Sequence, residues 1–224
     1  MIDNELENKQ RIGFSLSEIN YYPNRKIKEL VAVIKRFYKN FDELRFKEIC
    51  KLFKLDENKK IDQLSSGMKV KYNLALALSH KADLLILDEP TSGLDPISRD
   101  EILDIFRDIV KKGDRAILFS THITSDLDKC ATDITYISNG AIAYTGSKSN
   151  FIDSYLFVKD MNNNDSDLLA EFISYKNIGN GLEGLIPFYK KDLFESRGCE
   201  VRSPDLEEIM IFLERSNEHE GFDL

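Results

Sequence analysis

The chain has 224 residues, 42% hydrophobic and 31% charged, with a formal net charge of −8; that is length enough for one sizeable core and a small appendage. An acidic surplus suits nucleic acid poorly, because neutralising phosphates takes an excess of Lys and Arg, so no nucleic-acid partner is expected. No run of 18 or more apolar residues appears, the length a bilayer-spanning helix needs.

The opening residues, MIDNELENKQ, lack the apolar stretch of a signal peptide. Residues 11–16 (RIGFSL) read as a short buried strand. Over 26–41 the period becomes helical, with Ile27, Leu30, Val31, Ile34, Phe37, Tyr38 and Phe41 recurring at three- and four-residue spacing. A second helix is expected over 42–54, with Asp42 as its N-cap. LSSGMKVKYNLALALSH, from Leu64, reads as a cap followed by an Ala/Leu-rich buried helix, and LLILD (84–88) as a buried parallel strand. Pro96 opens a helix that runs to 111 and stops at Gly113. AILFS (116–120) is another buried strand, followed by a short helix near 124–129. ITYIS and AIAYT flank Asn139-Gly140, a hairpin signal. Beyond Lys148 a small α/β tail is expected, broken by NNNDSD (162–167) and ending in a helix near 205–215. The alternation of apolar strands with helices predicts an α/β core with a parallel sheet. Cys50, Cys130 and Cys199 are far apart and have no His at metal-ligand spacing; they read as reduced structural thiols of a cytosolic protein.

Four segments carry chemistry. LLILDEP ends an apolar strand in two carboxylates, Asp88 and Glu89, at the strand end where open α/β sheets bind ligands. A carboxylate there can hold Mg2+ and a second can orient an attacking water; alternatively both merely cap helix starts. LSSGM (Leu64, Ser65, Ser66, Gly67, Met68) puts small residues and hydroxyls before a long helix, which offers an anion site or a plain Ser cap. TSGLDP is a tight turn carrying Asp95. FSTH leaves His122 just past a strand end, beside Asp88 and Glu89 if the two strands are neighbours.

In order and spacing these segments resemble an ABC-transporter ATP-binding subunit, within that family an ABC-2-type exporter ATPase. LSSGM resembles the signature motif, LLILDEP the Walker B strand, SGLD the D-loop and THITSDLDKC the switch-histidine segment; RIGFSLSE, GAIAYTGSKSN and SPDLEEIMIFL extend a weaker likeness over nearly the whole chain. The resemblance implies a P-loop NTPase-like fold: an ABC ATPase domain over 1–150 with a helical subdomain at about 26–80, and a C-terminal accessory region over 151–224. It implies ATP and Mg2+ as cofactors, with Asp88 helping to hold Mg2+, Glu89 polarising the attacking water and His122 contacting the γ-phosphate. Leu64 to Met68 would meet ATP bound to an opposite subunit, and Asp95 would couple the two sites. The partners implied are a transmembrane permease and a second ATPase subunit, as homo- or heterodimer, at the cytoplasmic face of the membrane.

Two departures stand out. No GxxxxGKS/T phosphate loop occurs in these residues, although phosphate cradling depends on that loop's N–H groups and Lys. The family places it upstream of RIGFSL, so its strand, its helix and the adenine-stacking aromatic residue are expected to be missing here, and one sheet face to lack cover. The isolated chain is then expected to bind MgATP weakly, or to lend its signature and Asp95 to an intact subunit. At the Q-loop position stand Ser17 and Glu18; Ser17 is too short to reach a metal, and Glu18 is the candidate substitute.

Overall fold

A computed structural model describes residues 4–16, 22–162, 166–179 and 181–219. It divides into two compact units, 1–122 and 123–224. In the first, a short helix α1 (Glu5–Gln10) leads into β1 (Ile12–Ser15), which pairs in parallel with β2 (Leu84–Asp88); β2 pairs in parallel with β3 (Ala116–Ser120). Residues 84–88 and 116–120 are therefore neighbours, the condition for His122 to lie beside Asp88 and Glu89, in register Leu84↔Ala116 to Asp88↔Ser120.

Successive strand residues point to opposite faces, and the two faces differ. On one, Leu85 and Leu87 are 0% and 2% exposed, and Gly13 and Ser15 are buried with them. This face is covered by helices. Pro96 sits in the first turn of α5 (Pro96–Lys111), which buries Ile102, Leu103 and Phe106 and brings Phe106 onto Phe119. On the other face Phe14, Ile86 and Leu118 lie side by side across all three strands and are 52%, 39% and 62% exposed.

The helical block between β1 and β2 contains α2 (Ile27–Ile34), α3 (Glu43–Leu52) and α4 (Ser66–Leu78). The Asp42 carboxylate accepts from the Arg45 N–H at 2.9 Å, the expected cap of α3. The helix expected over 26–41 is shorter, ending at Ile34. Arg36 and Phe37 N–H groups bond to carbonyls three residues back, at 3.1 and 2.9 Å, tightening the chain into turns. Tyr38 leaves the helical face to stack on His80, ring centroids 4.1 Å apart. α4 lies against β1 because residue 13 is glycine: a Cβ there would stand 2.9 Å from the Ala77 carbonyl oxygen and 2.8 Å from Leu85 Cδ2. His80 Nε2 donates to the Ile12 carbonyl at 3.1 Å, tying the end of α4 to the same strand.

The second unit starts with α6 (Thr124–Cys130) and the hairpin of β4 (Asp133–Ser138) and β5 (Ala141–Ser147). Asn139 and Gly140, both at positive φ (50° and 75°), make its turn, as Asn-Gly does in two-residue hairpins. After α7 (Lys148–Asp153) comes an antiparallel sheet ordered β7 (Ser174–Ile178), β8 (Gly181–Pro187), β6 (Tyr155–Asn162), β9 (Glu200–Arg202). It carries α8 (Ser166–Leu169), α9 (Lys191–Ser196) and α10 (Leu206–His219). Phe151, Phe157, Leu185, Ile209 and Phe212 form one core of this unit. Among the described residues no helix is long and apolar enough to cross a membrane.

Candidate functional site

Parallel β2 and β3 end on the same rim of the sheet, and the candidate catalytic residues lie there. Ser120, the last residue of β3, is the hub. Its hydroxyl donates to Asp88 Oδ1 at 2.7 Å and accepts from the Glu89 N–H at 3.1 Å, while its carbonyl lies 3.2 Å from the same N–H. One serine thus fixes the Asp88 carboxylate and the backbone of Glu89 across the strand pair.

Glu89 holds an unusual backbone. Its φ is +47°, left-handed geometry that costs a non-glycine residue and persists only where the surroundings impose it. The turn swings its side chain toward His122: Oε1 accepts from the His122 N–H at 3.1 Å and lies 2.9 Å from His122 Nδ1. The ring therefore donates from Nδ1, leaving Nε2 as the nitrogen open to a ligand. The His122 side chain is 70% exposed and that of Glu89 only 24%. Glu89 Oε2 is buried without a hydrogen-bond partner. A buried carboxylate oxygen left unpaired is costly, and a water or metal-bound ligand would satisfy it.

The signature segment forms a second cluster. Ser65 caps α4, its hydroxyl accepting from the Met68 N–H at 3.3 Å. Leu64 is buried, 5% exposed, and anchors the turn before it. Gly67 packs against the turn carrying Asp95: a Cβ there would stand 3.1 Å from the Gly93 carbonyl oxygen, and Gly93 itself sits at φ +71°. Asp95 caps α5, accepting from the Ser98 N–H at 3.0 Å and the Ser98 hydroxyl at 2.5 Å. Those bonds, the hydroxyl's first, hold its carboxyl below the usual carboxylate range. Lys71 of α4 donates to the same hydroxyl at 2.6 Å, so the helix behind LSSGM is cross-braced to the helix behind SGLD.

Asp88, Glu89 and His122 are therefore together on one rim, and Leu64 to Met68 are joined to Asp95. Ser17 and Glu18 lie outside the described residues. Sequence reasoning missed Ser120, Ser98 and Lys71; a serine opposite the Walker-B-like aspartate in the next strand is the signal that could have found the first. Among the described residues no three His, Cys, Asp or Glu side chains converge as a metal cage.

Residues 5–127 match the family model described as "AAA domain, putative AbiEii toxin, Type IV TA system". The ABC transporter ATP-binding protein YtrB of Bacillus subtilis is 26% identical over 151 residues, 67% of this chain and 52% of YtrB. NatA, an ABC transporter ATP-binding protein of the same organism, is 31% identical over 157 residues, 66% of this chain and 62% of NatA. The chain spans about a third to a half of the length of the curated relatives it matches, 52%, 30% and 37% in three of them. In fold it resembles the dimeric ATP-binding cassette MJ0796 bound to ADP and Pi, with TM-score 0.56 and 23% identity over 66% of this chain and 68% of that one. The chain belongs to the family of that AAA-domain model, and the curated relatives it matches are ABC transporter ATP-binding proteins.

Proposed function

We propose that the chain is the carboxylate-and-signature part of the ATP-hydrolysing motor subunit of an ABC transporter, working at the cytoplasmic face of a membrane on a permease partner. The observation that carries this is the strained Glu89, its Oε1 held by His122 and its Oε2 buried without a partner. A structural cap has no need of positive φ and an orphaned oxygen, whereas a base for an attacking water needs a fixed, partly desolvated carboxylate. Asp88, oriented by Ser120, is the residue to help hold Mg2+, which would neutralise phosphate charge when bound. His122 would meet the γ-phosphate through Nε2. Ser65, Ser66 and Gly67 offer hydroxyls and N–H groups at the start of α4 to nucleotide on an opposite subunit, and Asp95 links that face to α5. The helical block around α2 and α3 is the surface for the permease; Val33, Phe37 and Leu44 on it are 51%, 69% and 75% exposed.

A second reading has its own observation. The bracing of LSSGM to Asp95 through Lys71 and Ser98 leaves the signature face complete by itself, so the chain could act only by lending that face to an intact subunit. The complex recovered on a tag attached to this chain tests the function. It should contain a membrane permease and hydrolyse MgATP, with Ser65→Arg abolishing the activity. Recovery with neither permease nor ATPase would remove the transporter reading.

A further inference from the structure

β3 reads AILFS, four apolar residues and then one hydroxyl, Ser120. Ser120 pairs with Asp88 at the end of the parallel register, so the two side chains leave neighbouring strands on the same face. The bond between them has a fixed direction. An ionised carboxylate only accepts, so the Ser120 hydroxyl donates to Asp88 Oδ1, at 2.7 Å. Its oxygen is left to accept from the Glu89 N–H, at 3.1 Å. The result is a chain of two bonds, Glu89 N–H to Ser120 hydroxyl to Asp88 carboxylate, in which each bond polarises the next. The backbone has no need of this hydroxyl. The Glu89 N–H also lies 3.2 Å from the Ser120 carbonyl oxygen, an acceptor that any residue at position 120 supplies. A valine or isoleucine would suit the strand better and keep that contact. What the hydroxyl alone adds is its hold on the Asp88 carboxylate.

We propose that Ser120 is a positioning residue whose hydroxyl sets the orientation of the Asp88 carboxylate toward a divalent cation and, through the Glu89 N–H, holds the cation ligand and the base in one frame. The proposal rests on the ATP-site reading above and gives Ser120 a measurable part in metal affinity. Carboxylates that bind metals are themselves oriented by hydrogen bonds, and losing such a partner lowers metal affinity or activity by about 10–100-fold. The link to Glu89 matters because that residue is strained. At φ +47° its backbone persists only where the surroundings impose it, and Ser120 meets its N–H with two oxygens. Ser120 is exposed and Asp88 half-buried, so a threonine at position 120 keeps the hydroxyl and has room for its methyl, whereas an alanine removes only the hydroxyl.

The test titrates the 15N-labelled 224-residue chain with Mn2+, without nucleotide. Mn2+ shares the oxygen-ligand preference of Mg2+ and broadens the amide signals near which it binds. Saturable broadening is expected at the Glu89 and His122 amides, and Asp88→Asn should abolish it. Ser120→Ala should raise the Mn2+ dissociation constant at this rim by about tenfold or more, with an unchanged circular dichroism spectrum. Ser120→Thr should restore it close to the wild-type value. Where the alanine variant does not fold, Ser120→Cys takes its place, since a thiol is of similar size and a weak donor. Rim binding that Ser120→Ala leaves unchanged overturns the proposal while the ATP-site reading stands. So does a loss that Ser120→Thr fails to restore, because the hydroxyl would then not be the agent. Wild-type chain with no broadening at the rim, or with broadening that survives Asp88→Asn, removes the metal role of Asp88 from the ATP-site reading and the proposal with it.

Discussion

Gly13→Ala is the most informative single perturbation of the scaffold. The added methyl would meet the Ala77 carbonyl oxygen at 2.9 Å, Leu85 Cδ2 at 2.8 Å and His80 Cε1 at 3.1 Å. Leu85 has rotamers to use, but Ala77 offers backbone, so α4 must move away from β1. Overpacking of this kind costs about 1–3 kcal/mol. With a urea m-value of roughly 2 kcal/mol/M, the midpoint should fall by about 0.5–1.5 M, followed by far-UV circular dichroism. Because the obstruction is backbone, Leu85→Val combined with Gly13→Ala should not rescue stability. Shifting α4 also strains the His80–Ile12 bond and moves the start of the signature helix. An unchanged midpoint, or full rescue by Leu85→Val, would show that α4 is not seated on β1 through this glycine.

Calorimetric titration of the isolated chain should show no micromolar affinity for MgATP, because two acidic groups and one His face the polyphosphate without a phosphate loop, with only a bridging Mg2+ to offset the repulsion; micromolar binding would contradict this. Burial raises the Cys50 thiol to about 12, against an ordinary value near 8.5. At pH 8 its thiolate fraction is then about a thousandth or less of an ordinary thiol's, so iodoacetamide should label Cys130 and Cys199 first, as read by peptide mass spectrometry; equal labelling would refute it. In the second unit Arg202 donates to both Glu208 carboxylate oxygens, one at 2.8 Å, and holds its pKa below the usual range. A depressed folded pKa contributes stability above the unfolded value, near 4.3, and loses it as pH falls through the folded pKa. Glu208→Gln should therefore cost about 1–2 kcal/mol at pH 7 and progressively less as pH falls through the folded pKa of Glu208, measured by thermal melts; a deficit unchanged with pH would refute the linkage.

Elements with strong local punctuation were legible in the sequence. Pro96 and Gly113 bracket α5, Asn139-Gly140 makes the hairpin, and Ser65 caps α4. The strands themselves were readable as apolar runs, whereas their adjacency was a condition of the site reading that the register of β2 on β3 meets. The end of α2 was not legible: its apolar period runs on through Phe37 and Tyr38, and only the tertiary stack of Tyr38 on His80 explains why the helix stops short. The four-stranded antiparallel sheet of the second unit was hidden for a related reason. Its strands alternate imperfectly, and the pairing of β6 with both β8 and β9 depends on contacts distant in sequence. At the site, residue types at strand ends were readable, whereas the positive φ of Glu89 and the bridging role of Ser120 belong to the three-dimensional register of β2 on β3.

We propose that Glu89 serves a nucleotide at its own sheet rim. Glu89→Gln keeps the size and the capacity to accept from the His122 N–H while removing the base. ATP hydrolysis by the complex recovered on a tagged chain should fall by about 100-fold or more, with MgATP still bound. Hydrolysis at the wild-type rate with Glu89→Gln would contradict the claim and leave the chain acting only through its signature face.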